Sequence, residues 1–175
     1  MTEKKSSVYN LYLQTDDQDF VGFQPPVQPT NKTNKANVTW SMNWNEFFRD
    51  NNINGKYTRC RVRYQLISTE VVSTGLVTNN YLGYVSCNLQ TNNSLATANG
   101  GTVLGLLYPQ LVTTPSTNTN WYFNSTTLDE RGVDVVIPTG SQSFTISLYN
   151  SANTLFTFGA NGFQIMMTFE LYNGK

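Results

Sequence analysis

The run from Phe163 to Tyr172 alternates without a break: Phe163, Ile165, Met167, Phe169 and Leu171 share one parity, while Gln164, Met166, Thr168, Glu170 and Tyr172 share the other. Successive side chains of a strand point to opposite faces, so this spacing predicts a β-strand with one apolar face. The stretches before it repeat the theme: Val133 to Ile137, Ser143 to Tyr149 and Leu155 to Phe158. Thr139-Gly140, Asn150 to Asn153 and Gly159 to Gly162 separate them with turn-forming residues.

Further upstream the same period recurs. Val38, Trp40, Met42 and Trp44 form one apolar parity, and Asn45 to Asn52, carrying Phe47 and Phe48, reads as a closing helical turn. Asn54-Gly55 is a turn signal. From Tyr57 to Ile67 the parity sets Cys60, Val62, Tyr64 and Leu66 inward and Arg59, Arg61, Arg63 and Gln65 outward. Val71-Val72, Tyr81 to Leu89, Val103 to Tyr108 and Trp121 to Phe123 complete the set. About eight strands at this spacing, with few helical segments, predict an all-β sandwich of antiparallel strands in two sheets. Its expected core is Val38, Trp40, Met42, Cys60, Val62, Tyr64, Leu66, Phe144, Ile146, Leu148, Phe163, Ile165, Met167 and Phe169. No repeat of fixed period is present, which disfavours propellers and β-helices.

Length and charge then narrow the function. The 175 residues suit one domain with a core of useful size. Eleven basic residues balance eleven acidic ones, and 13% of the chain is charged, a poor composition for holding nucleic acid through its phosphates. Histidine is absent, which removes the commonest general base and metal ligand. Cys60 and Cys87 both fall on apolar strand faces and are expected as buried free thiols. No catalytic constellation, metal site or cofactor is expected. The first residues, Met1 to Ser7, lack the apolar stretch of a signal peptide, and no run is long enough to span a membrane. Synthesis in the cytosol is the expectation, with the Asn-X-Thr/Ser sequons at Asn31, Asn37, Asn92 and Asn124 arising by chance.

Four groups of residues are candidates for function. Residues 1–35 read as an extended arm ahead of a sandwich at 36–175. Tyr9, Leu11, Tyr12 and Leu13, then Phe20, Val21 and Phe23, then Pro25 and Pro26 are its sticky or stiff positions. A free linker would seldom carry so many apolar groups, so docking on a neighbouring copy is favoured over a frayed terminus. Arg59, Arg61 and Arg63 share one strand face; solvated edge charge is the favoured reading, ahead of a contact with carboxylates of another subunit and of an anion site. Trp40, Trp44, Trp121, Tyr122 and Tyr149 are aromatics of the kind that stack on sugars; Trp40 and Trp44 read as core, and Trp121 with Tyr122, beside a polar loop, is the one pair that reads as a candidate ligand surface, for instance for a glycan. The acids are weaker candidates. Asp129, Glu130 and Asp134 lack a placed partner for paired-carboxylate hydrolysis. Asp16, Asp17 and Asp19 lack the Gly and Glu of a calcium loop.

The arm through Pro25-Pro26, the strand Tyr57 to Ile67 and the close of the chain from Val133 to Tyr172, taken as a terminal near-hairpin, resemble single jelly-roll capsid proteins. Within that group the arm holds Lys4, Lys5, Lys32 and Lys35 against Glu3, Asp16, Asp17 and Asp19, too neutral to condense RNA. The chain therefore resembles the penton or minor capsid proteins of icosahedral double-stranded DNA viruses or virophages. That resemblance implies a single jelly-roll sandwich in a virion, pentamers at vertices or a cement between larger capsomers, and contacts with copies of itself and other capsid proteins. A lectin-like or fibre-head module that binds a host-surface glycan or receptor is the alternative.

Overall fold

The computed structural model describes residues 6–15, 29–49, 56–68, 83–91, 97–107, 109–113, 119–126, 132–156 and 162–174. In chain order these form β1 (Ser6–Gln14), β2 (Pro29–Asn34), β3 (Asn37–Asn43), α1 (Trp44–Phe47), β4 (Arg59–Ser68), β5 (Gly83–Cys87) and β6 (Thr97–Ala98). Then follow β7 (Gly101–Leu107), β8 (Pro109–Thr113), β9 (Thr119–Thr126), β10 (Val133–Val135), β11 (Ser141–Asn150) and β12 (Phe163–Tyr172). The protein is a β-sandwich of two antiparallel sheets.

One sheet runs β1-β12-β4-β9-β8, with β10 also on β4, and the other runs β2-β3-β11-β5-β7-β6. The pairing has a simple logic. The chain is doubled back on itself with β5 against β7 at the tip, and the successive rungs β4·β9, β3·β11 and β1·β12 alternate between the two sheets. Alternation puts apolar parity from both sheets into one interior, the arrangement that lets two half-greasy sheets hide each other.

Every residue expected in the core is buried, including Val38, Trp40, Cys60, Val62, Leu66, Phe144, Ile146, Leu148, Met167 and Phe169 at 0% exposure. One end of the interior is filled by rings. Trp44, Phe47 and Phe48, from the helical turn after β3, meet Phe169 of β12 at 5.4, 5.5 and 6.0 Å between centroids. Phe144 of β11 closes on Trp44 edge-on at 5.3 Å, and Tyr9 of β1 lies 5.2 Å from Phe48. The turn itself is started by Asn43, whose side chain accepts from the Glu46 backbone N–H, an N-cap that follows the strand at once.

Two tight connections need their residue types. Asn99 and Gly100 form the two-residue loop between β6 and β7, with φ of 50° and 76°, the twist that a two-residue hairpin favours. Gly132 has φ of 69° just before β10, and a β-carbon there would run into the Val62 carbonyl. Only glycine lets β10 lie down on β4 at that point.

Two expectations change. Within residues 1–35, the two described strands, Ser6–Gln14 and Pro29–Asn34, belong to the sheets of the sandwich. Ser6–Gln14 pairs residue for residue with β12, and Leu11 and Leu13 are 2% exposed inside this chain's own core. Pro29–Asn34 pairs with β3 through a shifted register. The physical reason lies in parity: Tyr9, Leu11 and Leu13 alternate like any strand of the sandwich, and the central strand β12 needed a partner on its free side. The closing segments also differ from a near-hairpin. β11 and β12 belong to opposite sheets, and Leu155 makes only an isolated bridge to Tyr149.

Both cysteines are free and buried, one in each sheet. Burial, with Asp134 nearby, pushes the Cys60 thiol up to about 12. Burial likewise pushes the Cys87 thiol up to about 12 against the backbone contact at Leu89. A thiol reagent at pH 8 is expected to label neither residue in the native protein and both after denaturation. Because the folded values are raised, the stabilisation is complete below the unfolded thiol value of 9.0 and is lost as pH rises from there towards about 12.

Candidate functional site

The outer face of the β1-β12-β4 sheet concentrates the charged groups. Strand parity aims Arg59, Arg61 and Arg63 of β4 outward, and the register sets Glu170 of β12 across from Arg61 and Asp134 of β10 across from it on the other side. Arg61 Nε donates to Asp134 Oδ1 at 3.3 Å, and its Nη2 donates to the Tyr172 hydroxyl at 3.1 Å. The Tyr172 hydroxyl in turn donates to Asp134 at 2.7 Å, and the guanidinium lies 4.8 Å from the Tyr172 ring centre. Burial and the bond to Asp134 push the Tyr172 phenol above its ordinary value. Arg63 reaches Glu170 at 3.5 Å.

The three arginines are thus brought together on one face, as their spacing predicts, but Arg61 and Arg63 are answered within the chain. Asp134 is not an idle loop acid: it pins β10 to β4. These pairs are half exposed to water, Arg61 at 30% and Asp134 at 46%, so their net worth is small. Asp134→Asn is expected to lower stability by no more than about 1 kcal/mol, read as a slight fall in the thermal midpoint. Sequence reasoning missed Tyr172 and Glu170 as partners. The signal that could have found them is register, since pairing β12 with β4 fixes which outward residues meet.

A groove of about 470 Å³ borders this cluster, lined by Thr58, Arg59, Thr91, Asp134, Val135, Val136 and Ile137. Val136 and Ile137 separate it from a second groove of about 250 Å³ whose walls include Asn88, Gln90, Gln142 and Ser143. Three large apolar side chains also stand exposed on the same outer face: Val8 at 55%, Tyr12 at 44% and Ile67 at 47%. Tyr12 and Val8 therefore remain surface groups, unlike Leu11 and Leu13 of the opposite parity.

The other sheet is chemically different. β3, β11, β5, β7 and β6 contain no charged residue. Its outer face carries hydroxyls, such as Thr39 bonded to Thr145 at 2.9 Å, and a cross-strand pair of tyrosines, Tyr84 and Tyr149.

Trp121 and Tyr122 lie on β9 opposite Leu111 and Gln110 of β8, with their side chains outside the described ones. Phe20, Val21, Phe23, Pro25, Pro26, Asp16, Asp17, Asp19, Asp129 and Glu130 lie outside the described residues. Among the described residues, no three His, Cys, Asp or Glu side chains gather as a metal site, and no helix is long and apolar enough to cross a membrane. No family model matches the chain, and no curated protein matches it.

Proposed function

We propose that this chain is a single jelly-roll subunit of an icosahedral viral shell, of the double-stranded DNA virus or virophage kind. It would serve as a penton subunit at the fivefold vertices or as a minor protein cementing larger capsomers. The observation that carries the reading is strand order: β1-β12-β4-β9 faces β3-β11-β5-β7, and the paired rungs of one doubled chain alternate between the sheets. This winding of a doubled chain through two layers supports a jelly roll, an architecture that viral capsid domains use, as lectin domains and cupins also do.

The surfaces agree with a structural role. Val8, Tyr12 and Ile67 stand exposed on a face where Arg61 and Arg63 are already paired with Asp134 and Glu170, so a second protein can cover them without stranding those charges. The proposed contact is the outward face of β1, β12 and β4, to which Val8 and Tyr12 contribute. Equal numbers of acidic and basic residues fit a shell protein that leaves genome condensation to others.

Native mass spectrometry and negative-stain imaging of the full chain test this. Pentamers or shell fragments are expected, and Val8→Glu combined with Ile67→Glu should prevent assembly while leaving the thermal midpoint nearly unchanged. A chain that stays monomeric at every concentration, alone and mixed with the major capsid protein of its virus, rejects the proposal.

A further inference from the structure

Tyr84 and Tyr149 sit directly opposite each other on β5 and β11, and their rings stack at 5.3 Å with 25° between planes. Both are half-buried and project from the outer face of two strands that carry no charged residue. The Tyr84 hydroxyl is held from two sides: Asn99 Nδ2 donates to it at 2.8 Å, and it donates to Asn153 Oδ1 at 3.0 Å. Burial and the neighbouring Tyr149 push the Tyr84 phenol above its ordinary value, so it keeps its proton at neutral pH.

The two asparagines are themselves fixed. Asn99 occupies the two-residue β6–β7 loop with φ of 50°, and Asn153 has φ of 59° in the loop after β11. That second loop is organised by the Asn150 side chain, whose Oδ1 accepts from the backbone of Ala152 and Thr154. Asparagine is the side chain that best tolerates this backbone region while offering an amide. Beside the rings, Ser86 and Ser147 also pair across β5 and β11 and are only 4% and 8% exposed. An aromatic pair, two exposed amides and a floor of small hydroxyl residues thus meet where the surrounding strands carry no charge.

We propose that this patch binds a neutral saccharide. One apolar face of a pyranose packs on the Tyr84–Tyr149 pair, against a ring face that the other ring does not cover, while Asn99 Oδ1 and Asn153 Nδ2, the amide atoms not engaged with Tyr84, accept from and donate to ring hydroxyls. Because the Tyr84 hydroxyl already clamps both amides, little side-chain freedom remains to be lost on binding. The uncharged strands argue against sialylated or sulfated sugars, which need a cation to answer their anionic group. This site is remote from the charged face proposed for assembly, and it functions in a monomer.

Screening the full chain on an array of neutral and acidic glycans, followed by titration calorimetry on the best neutral hit, tests the proposal. Binding confined to neutral glycans is expected. Tyr84→Phe and Asn99→Gly, both compatible with the local backbone, should each weaken it about tenfold, and Tyr149→Ala should abolish it. The thermal midpoint of Tyr84→Phe, measured alongside, should stay close to that of the parent chain. Failure to bind any neutral glycan, binding of acidic glycans alone, or unchanged affinity in Tyr84→Phe and Asn99→Gly overturns it.

Discussion

Deleting residues 1–14 is expected to leave a chain that no longer folds to a cooperative native state. The deletion removes all of β1, including Leu11 and Leu13, each 2% exposed in the core. Truncating a single buried leucine to alanine costs about 2–5 kcal/mol. A whole domain holds only ~5–15 kcal/mol in reserve. Loss of two such side chains plus a nine-residue ladder therefore consumes most of that reserve. The deletion also turns β12 into an exposed edge with an apolar inner parity, an invitation to aggregate. Circular dichroism and size-exclusion chromatography should show lost cooperativity and large aggregates. A truncated chain that melts within a few degrees of the parent would mean that β1 is only draped on the sheet. Leu11→Ala alone should give a folded protein weakened by about 2–5 kcal/mol, which separates side-chain burial from loss of the strand.

Phe169→Ala is expected to be the most damaging single core truncation, at about 3–5 kcal/mol in denaturant unfolding. Phe169 is 0% exposed and touches Trp44, Phe47 and Phe48, so its removal opens space against three rings carried by the helical turn. Those rings are fixed by the short helical turn and cannot readily collapse into the void, which places the cost near the upper end of the range. Phe169→Leu should recover part of the loss, because volume returns although the edge-on ring contacts do not. If Phe169→Ala costs less than about 1 kcal/mol, the ring cluster is not what ties the two sheets together at that end.

Much of this fold was legible because burial follows parity. The alternation from Phe163 to Leu171 named five core residues correctly, and Val38, Trp40 and Met42 did the same on the opposite sheet. The short turn carrying Phe47 was legible from the change of period after Trp44. Strand pairing was not legible to the same degree. Nothing local in Ser6–Gln14 says that its partner lies at Tyr172, so a well-patterned strand near two prolines read as an arm. Likewise Ser141–Asn150 and Phe163–Tyr172 look like hairpin arms in sequence, yet the pairing of β3 with β11 and β1 with β12 sends them to different sheets. The candidate sites followed the same rule. The outward direction of Arg59, Arg61 and Arg63 came from parity, while the pairing of Arg61 with Asp134 and of Arg63 with Glu170 depended on register. Tyr84 and Tyr149, sixty-odd residues apart, become a pair only once β5 and β11 are neighbours.

The rung that joins β1 to β12 has a consequence for biosynthesis. Leu11 pairs with Met167, so β1, once made, waits for β12 before its ladder can close. At ~5–20 residues per second, that gap lasts roughly 8–30 s. Throughout it, β1 and β4 have no strand between them, and the inner parity of β4 faces water or a chaperone. Folding of this sandwich is thereby deferred until translation of the segment is complete, and its long-range closure belongs to the slow end of small-domain rates. A circular permutant that links Tyr172 to Ser6 through a short loop, and opens the chain elsewhere, would place these two strands side by side in sequence and remove the wait.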